Sequence, residues 1–262
     1  MIFEAKISPN YFIRLYPYDN LAISVNPGIQ IRMFYEDSYP IYTPSFNPRV
    51  TIYHVLGGNL QIDNYFADRI GLKNGISFYT SYTLAHHSNG QNGSYYDEIE
   101  DQVNLKYGNF STDYVSVGFH WSNLEELSNN NEFGFIPQTL ISNGSLLYEQ
   151  HLKFLTREKS MGNRYYFNKI TISNTFISER PDFKFLKKKI YSYSASIYMG
   201  PGSYKTRGEF EFTYGVKPYQ KMDFYFFARL FIGPDYYNLR HYYQRRAITV
   251  GIMADPLNIG LF

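Results

Sequence analysis

A histidine and a serine two residues apart, His86 and Ser88, end a stretch in which side chains alternate in character. Ile76, Phe78, Thr80, Tyr82, Leu84, His86 and Ser88 fall on one face, and Ser77, Tyr79, Ser81, Thr83, Ala85 and His87 on the other. In an extended strand a spacing of two points both side chains the same way, so the imidazole can take the proton of the serine hydroxyl, as nucleophilic catalysis requires. The first face is the apolar one, and two polar residues at its end are costly unless they pair or work. A third group should orient the imidazole. Asp113 opens the next alternating stretch, Ser111 to Trp121, in which Asp113, Val115, Val117, Phe119 and Trp121 share a face. Antiparallel pairing sets Asp113 level with His86. Glu100 and Asn104 are rivals; they lie on the polar face of 99–107, a stretch that meets Gly108-Asn109 too soon for a spanning strand. His87 and His120 are expected to face inward as ordinary polar residues. Asn89-Gly90 signals a turn, and a long outward loop from Gln91 to Phe110 follows.

The same period of two runs through the chain. Arg207, Glu209, Glu211 and Thr213 alternate with Gly208, Phe210, Phe212, Tyr214 and Val216. After the turn Lys217-Pro218-Tyr219-Gln220, Met222, Phe224, Phe226, Ala228, Leu230 and Ile232 form one face of the next stretch. Each is about ten residues, the length that crosses a bilayer at a tilt. Similar stretches occur near 2–8, 20–36, 46–56, 76–88, 111–121, 147–156, 165–178, 188–199 and 244–254, whereas 122–146 is unexplained, with Phe133 to Leu147 alternating poorly. An even number closes a bacterial barrel, so the expectation is an all-β, antiparallel transmembrane β-barrel of about twelve strands. With no linker or composition break, residues 1–262 read as one domain. A soluble β-sandwich predicts shorter strands and a polar outer face.

Composition agrees. Tyr numbers 28 and Phe 22 among 262 residues, which favours pleated, half-buried surfaces. No run of 18 apolar residues is present, which excludes a helical span. Cysteine is absent, excluding disulfides, thiolate metal sites and a cysteine nucleophile. The net charge of +2, with no basic block, gives no reason to expect a nucleic-acid partner. Met1-Ile2-Phe3-Glu4 reads as strand, so the expectation is that a secretory leader has been removed or lies upstream.

His86-His87-Ser88-Asn89-Gly90 resembles the His-x-Ser-Asn-Gly motif of the outer-membrane phospholipase A family, in which the histidine is base and the serine nucleophile. Ser111-Thr112-Asp113 looks like that family's Ser-x-Ser-Trp-Asn, with Asp where the family has its third residue and Thr for Trp. Glu36-Asp37-Ser38-Tyr39-Pro40 with Phe46-Asn47-Pro48, and the final strand from Val250 to the terminal Leu261-Phe262, are similar to further family segments. The likeness runs loosely along the whole chain and is specific only at the first motif. It implies a calcium-dependent hydrolase of phospholipid acyl esters, active as a homodimer in the bacterial outer membrane. It further implies Ca²⁺ held by Ser38 of the partner subunit, the main-chain carbonyl of Gln91, and Asn109 where the family has serine; oxygen donors suit the ion. Asp97, Glu98, Glu100 and Asp101 form an acidic loop that either binds calcium loosely or is simply solvated. Two other functions fit a barrel: a lipid A deacylase, which shares His-x-Ser-Asn and uses a downstream glutamate that Glu100 would supply, and a passive porin. Deacylase barrels have around eight strands, and this length argues against them.

Overall fold

Alternating strands leave their backbone N–H and C=O groups unsatisfied unless they pair laterally. A computed structural model describes residues 3–18, 20–35, 41–60, 76–97, 99, 102–126, 139–152, 165, 168–179, 188–200, 207–219 and 222–254. They form an all-β protein dominated by one 14-stranded sheet in which the ladders are antiparallel. Ser38, Glu36, Glu100 and the terminal Leu261-Phe262 lie outside the described residues.

Proline breaks the first part of the sheet. The strands β1 (Phe3–Ile7) and β2 (Tyr11–Arg14) flank Pro9, β3 (Leu21–Asn26) and β4 (Ile29–Met33) flank Pro27-Gly28, and β5 (Ser45–Phe46) and β6 (Arg49–Leu60) flank Pro48. A proline offers no N–H to a ladder, so pairing stops there. Register nevertheless continues across each gap, for Phe3 faces Met33 while Tyr11 faces Val25 in the same frame, and Ile29–Phe46 continues Leu21–His54. The Asn26 side chain bridges the gap: its Nδ2 donates to Ser8 O and Asn10 Oδ1, and its Oδ1 accepts from Gly28 N.

Eight unbroken strands complete the sheet: β7 (Ile76–Ser88), β10 (Ser111–Glu126), β11 (Thr139–His151), β12 (Asn168–Glu179), β13 (Lys188–Met199), β14 (Arg207–Lys217), β15 (Phe224–Pro234) and β16 (Gln244–Ala254). Each pairs with the next, and β6 pairs with β7. Among the described residues these make three broken lengths and eight unbroken ones, beside the expectation of about twelve. Between β7 and β10 a separate two-stranded ribbon forms, β8 (Tyr96–Asp97) with β9 (Gln102–Val103). The stretch 122–146, unexplained by sequence, is strand at both its ends, where β10 continues to Glu126 and β11 begins at Thr139. Asn123, Gly144 and Ser142 interrupt the apolar row there, and pairing with β7 and β12 holds those residues in strand.

The sheet curls. Glu4 of β1 accepts hydrogen bonds from Arg229 of β15 and Arg245 of β16, at the opposite end of the strand order. Arg32 of β4 joins Glu4 and Asp235 in the same buried cluster. No main-chain ladder links β1 to β16 among the described residues.

Curling gives the sheet two unlike faces. The outer one exposes apolar rows, among them Val50 and Ile52, Tyr82 and Leu84, Val117 and Phe119, Ile170 and Ile172, and Ile248, Val250 and Ile252. The inner one carries cross-strand hydroxyl pairs, Thr51–Thr83, Ser145–Ser173, Thr171–Ser196 and Thr175–Ser192. These satisfy polar atoms that face away from the apolar rows. At the end of β7 the inside is filled: Tyr95, Val103, Phe110, Tyr165 and Leu239 pack into a buried cluster, with a 3₁₀ turn Asn238–Tyr242 as part of the plug.

Candidate active site

Register assembles the site. In the β7–β10 ladder Ser88 faces Ser111, His87 faces Thr112 and His86 faces Asp113. Asp113 therefore lies beside His86 on the outer face, and its Oδ1 is 2.7 Å from His86 Nδ1. Both side chains are partly open, at 40% and 30% of their free accessibility. A hydrogen bond from Nδ1–H to the carboxylate fixes the imidazole tautomer and leaves Nε2 as an acceptor. No described residue bonds to Nε2. Asn104, a rival for this role, caps a turn by accepting from Tyr107 N at 3.1 Å.

Ser88 stands two residues along the same outward row, half-buried, with no hydrogen-bond partner for its hydroxyl among the described residues. The Ser88–His86 hydrogen bond is not formed here. Two residues of strand rise separate them by roughly 6.6 Å at Cα. Catalytic hydrogen bonds are commonly long without substrate and tighten on binding.

The turn after Ser88 is built by Asn89, which is 2% exposed. Its Nδ2 donates to Gly108 O (2.8 Å), its Oδ1 accepts from Phe110 N (2.9 Å) and Gln91 N (3.2 Å), and its own N–H donates to Phe110 O (3.0 Å). One side chain thus locks the end of β7 to the residues that enter β10, and so fixes which residue of β10 meets His86. Gly90 follows at φ +68°, left-handed backbone that glycine adopts without cost, and its N–H donates to no described acceptor. On the other side of β7, His86 N donates to Pro48 O at 3.0 Å. None of these supports was singled out from sequence. Asn89 read as a turn signal, but its partners lie some twenty residues away.

Two of the expected calcium donors, Gln91 and Asn109, lie in the segments that follow β7 and precede β10. Gly93 N donates to Tyr107 O and Asn109 N to Gly93 O, so the 91–94 segment runs against 107–109; a Cβ on Gly93 would lie 2.2 Å from Tyr107 O. The Gln91 carbonyl and the Asn109 side-chain amide make no hydrogen bond to a described residue. Carbonyl and amide oxygens are the hard donors Ca²⁺ takes, so these two fit the ion. Ser38 lies outside the described residues, and no group of three or more His, Asp or Glu able to hold a metal occurs among the described ones.

Behind the outer row, His87 points inward and is 2% exposed. Its Nε2 is 2.7 Å from Ser45 Oγ and its ring meets Phe110 and Tyr236. Beside it Thr112 Oγ1 lies 3.0 Å from His151 Nδ1, and His151 Nε2 approaches Glu149 and Tyr236. Burial pushes the Tyr236 and Tyr165 phenols well above their usual range, so both stay protonated donors. His120, also inward, stacks on Tyr79 and lies 2.8 Å from Ser81 Oγ.

Searches against family models, curated proteins and solved structures matched nothing to this chain.

Proposed function

We propose that the protein is an outer-membrane β-barrel phospholipase that hydrolyses phospholipid acyl esters with Ser88, His86 and Asp113. The observation that carries this reading is the 2.7 Å His86–Asp113 pair on an outward row, with His86 Nε2 and the Ser88 hydroxyl two residues on both without a partner among the described residues. A barrel is supported by the ion cluster joining β1 to β15 and β16, and a membrane setting by apolar outer rows over a hydroxylated interior. The aromatic plug at the site end disfavours a passive pore.

In this mechanism Ser88 Oγ attacks the acyl carbonyl while its proton passes to His86 Nε2, and Asp113 steadies the imidazolium. The tetrahedral oxyanion takes the free N–H of Gly90. Collapse breaks the ester bond, and His86 returns the proton to the departing glycerol oxygen. Water, deprotonated by His86, then releases the fatty acid and restores the serine. Ca²⁺ on Gln91 O, Asn109 and Ser38 of the partner subunit would supply Lewis-acid polarisation of the carbonyl, within a homodimer. An outward site suits a substrate that arrives by lateral diffusion in the outer leaflet and never enters the barrel.

Acyl release from mixed phospholipid micelles tests this, with calcium and with chelator, for wild type and Ser88→Ala. Calcium-dependent release that falls at least on the order of 10³-fold in the variant is expected. Equal release by both proteins, or none from folded wild type, refutes it.

A further inference from the structure

On the inner side of β7, directly behind the proposed dyad, lies a cavity of about 120 Å³. It has on the order of ten times the room a single water needs. Lys6, Ser8, Gln30, Arg49, His87 and Tyr236 are among its walls. It opens where Pro9, Pro27 and Pro48 break the first three strand lengths side by side, and where Asn26 bridges Ser8, Asn10 and Gly28.

Its charges are unbalanced. Lys6 stands on the inward row of β1, two residues from Glu4, and makes no hydrogen bond or ion pair with a described residue. Arg49 has one described polar partner, the Ser8 hydroxyl at 3.2 Å. The charges that act on Lys6 are Arg49, Glu211, Arg229 and Glu4. Both carboxylates are already engaged: Glu4 by Arg32, Arg229 and Arg245, and Glu211 by Arg229 at 3.9 Å. Two cations therefore face one cavity with no carboxylate of their own. Like charges brought to one face repel unless a counter-charge sits between them.

The remaining polar wall points the same way. His87 Nδ1 is buried and has no partner, while Nε2 meets Ser45 Oγ. With Ser45 donating to Nε2, the ring carries its proton on Nδ1 and adds a neutral donor. Gln30 offers a further amide donor at the edge. An ammonium, a guanidinium and N–H groups around a small space form the donor set that binds oxyanions through charge-assisted hydrogen bonds.

We infer that this inner cavity, formed by Lys6, Arg49 and His87, binds a small oxyanion of the phosphate or carboxylate class. Such an anion ties β1 and β6 to the end of β7, behind the strand that carries His86 and Ser88. The site does not depend on hydrolysis by Ser88.

Calorimetric titration of the folded full chain tests it, in a maltoside detergent that carries no phosphate, with inorganic phosphate and separately with acetate. Saturable binding of at least one of them is expected. The Lys6→Met/Arg49→Gln double variant should bind at least about tenfold more weakly, Arg49→Lys within about threefold of wild type, and Ser88→Ala as wild type. Tighter phosphate than acetate assigns the phosphate class, and the reverse order the carboxylate class. Circular dichroism verifies the fold of each variant; if the double variant does not fold, Lys6→Met by itself must still weaken binding severalfold. No saturable uptake of either anion at millimolar concentration, or equal binding by wild type and folded charge-removed variants, overturns the inference.

Discussion

His86 and His87 are adjacent on β7, and the pleat sends them to opposite sides of the sheet. His86 stands on the outer face, 40% open, with one nitrogen on Asp113 and the other free. His87 is almost wholly enclosed, between the Ser45 hydroxyl and the rings of Phe110 and Tyr236. The open imidazole is restrained only enough to hold one tautomer, while its neighbour is packed as part of the plug. A base must keep a lone pair available to a substrate, whereas His87 is held by its packing and by Ser45 on Nε2, its Nδ1 having no described partner. The same side chain thus meets a different environment according to the parity of its position.

Replacing each histidine in turn gives the sharpest break of that comparison. His86→Ala should lower acyl release by roughly 10⁴-fold or more with the unfolding midpoint nearly unchanged. His87→Ala should do the opposite, costing about 2–4 kcal/mol of stability by opening a void and stranding Ser45, with release within a few-fold of wild type. Release assays and denaturant titrations on the two variants measure this, and loss of activity in the His87 variant with full stability would reverse the assignment. Asp113→Ala should reduce turnover by about 10²-fold with little change in KM, since it removes the group that orients the base.

Smaller effects test the frame that sets the register. Asn89→Ala leaves Gly108 O and Phe110 N without partners inside the protein, which should cost about 2–3 kcal/mol. Amide exchange at Phe110 and nearby residues should quicken, and turnover should fall with it because Asp113 is no longer held opposite His86. Gly90→Ala meets open space, its Cβ no closer than 3.7 Å to Phe46, so only the left-handed backbone opposes it. A loss of about 1–2 kcal/mol is expected, read from the unfolding midpoint.

Much of this was legible because strand parity is local. The alternation of 76–88 placed His86 and Ser88 on one face and His87 on the other, and that of 111–121 placed Asp113 on the outward row. The strands flanking the Lys217–Gln220 turn were equally readable. What failed was the reading of segments whose pattern is blurred by small or polar residues. Ser142, Asn143 and Gly144 hide the alternation of β11, and only pairing with β10 and β12 keeps them extended. The continuation of β1 into β2 past Pro9 was hidden likewise, since a proline reads as a stop when the strand beside it is unknown.

The sequence by itself determined the all-β class, the inner and outer faces, and the shared row of His86 and Ser88, because a period of two follows from backbone geometry at each residue. Tertiary structure decided the 2.7 Å contact between Asp113 and His86, the Asn89 clamp on residues 108–110, and the meeting of Glu4 with Arg229 and Arg245. Lys6, Arg49 and His87 likewise share a cavity only once the sheet curls. These join residues far apart in the chain, and no local periodicity encodes which strand lies beside which, in what register, or how far a sheet bends.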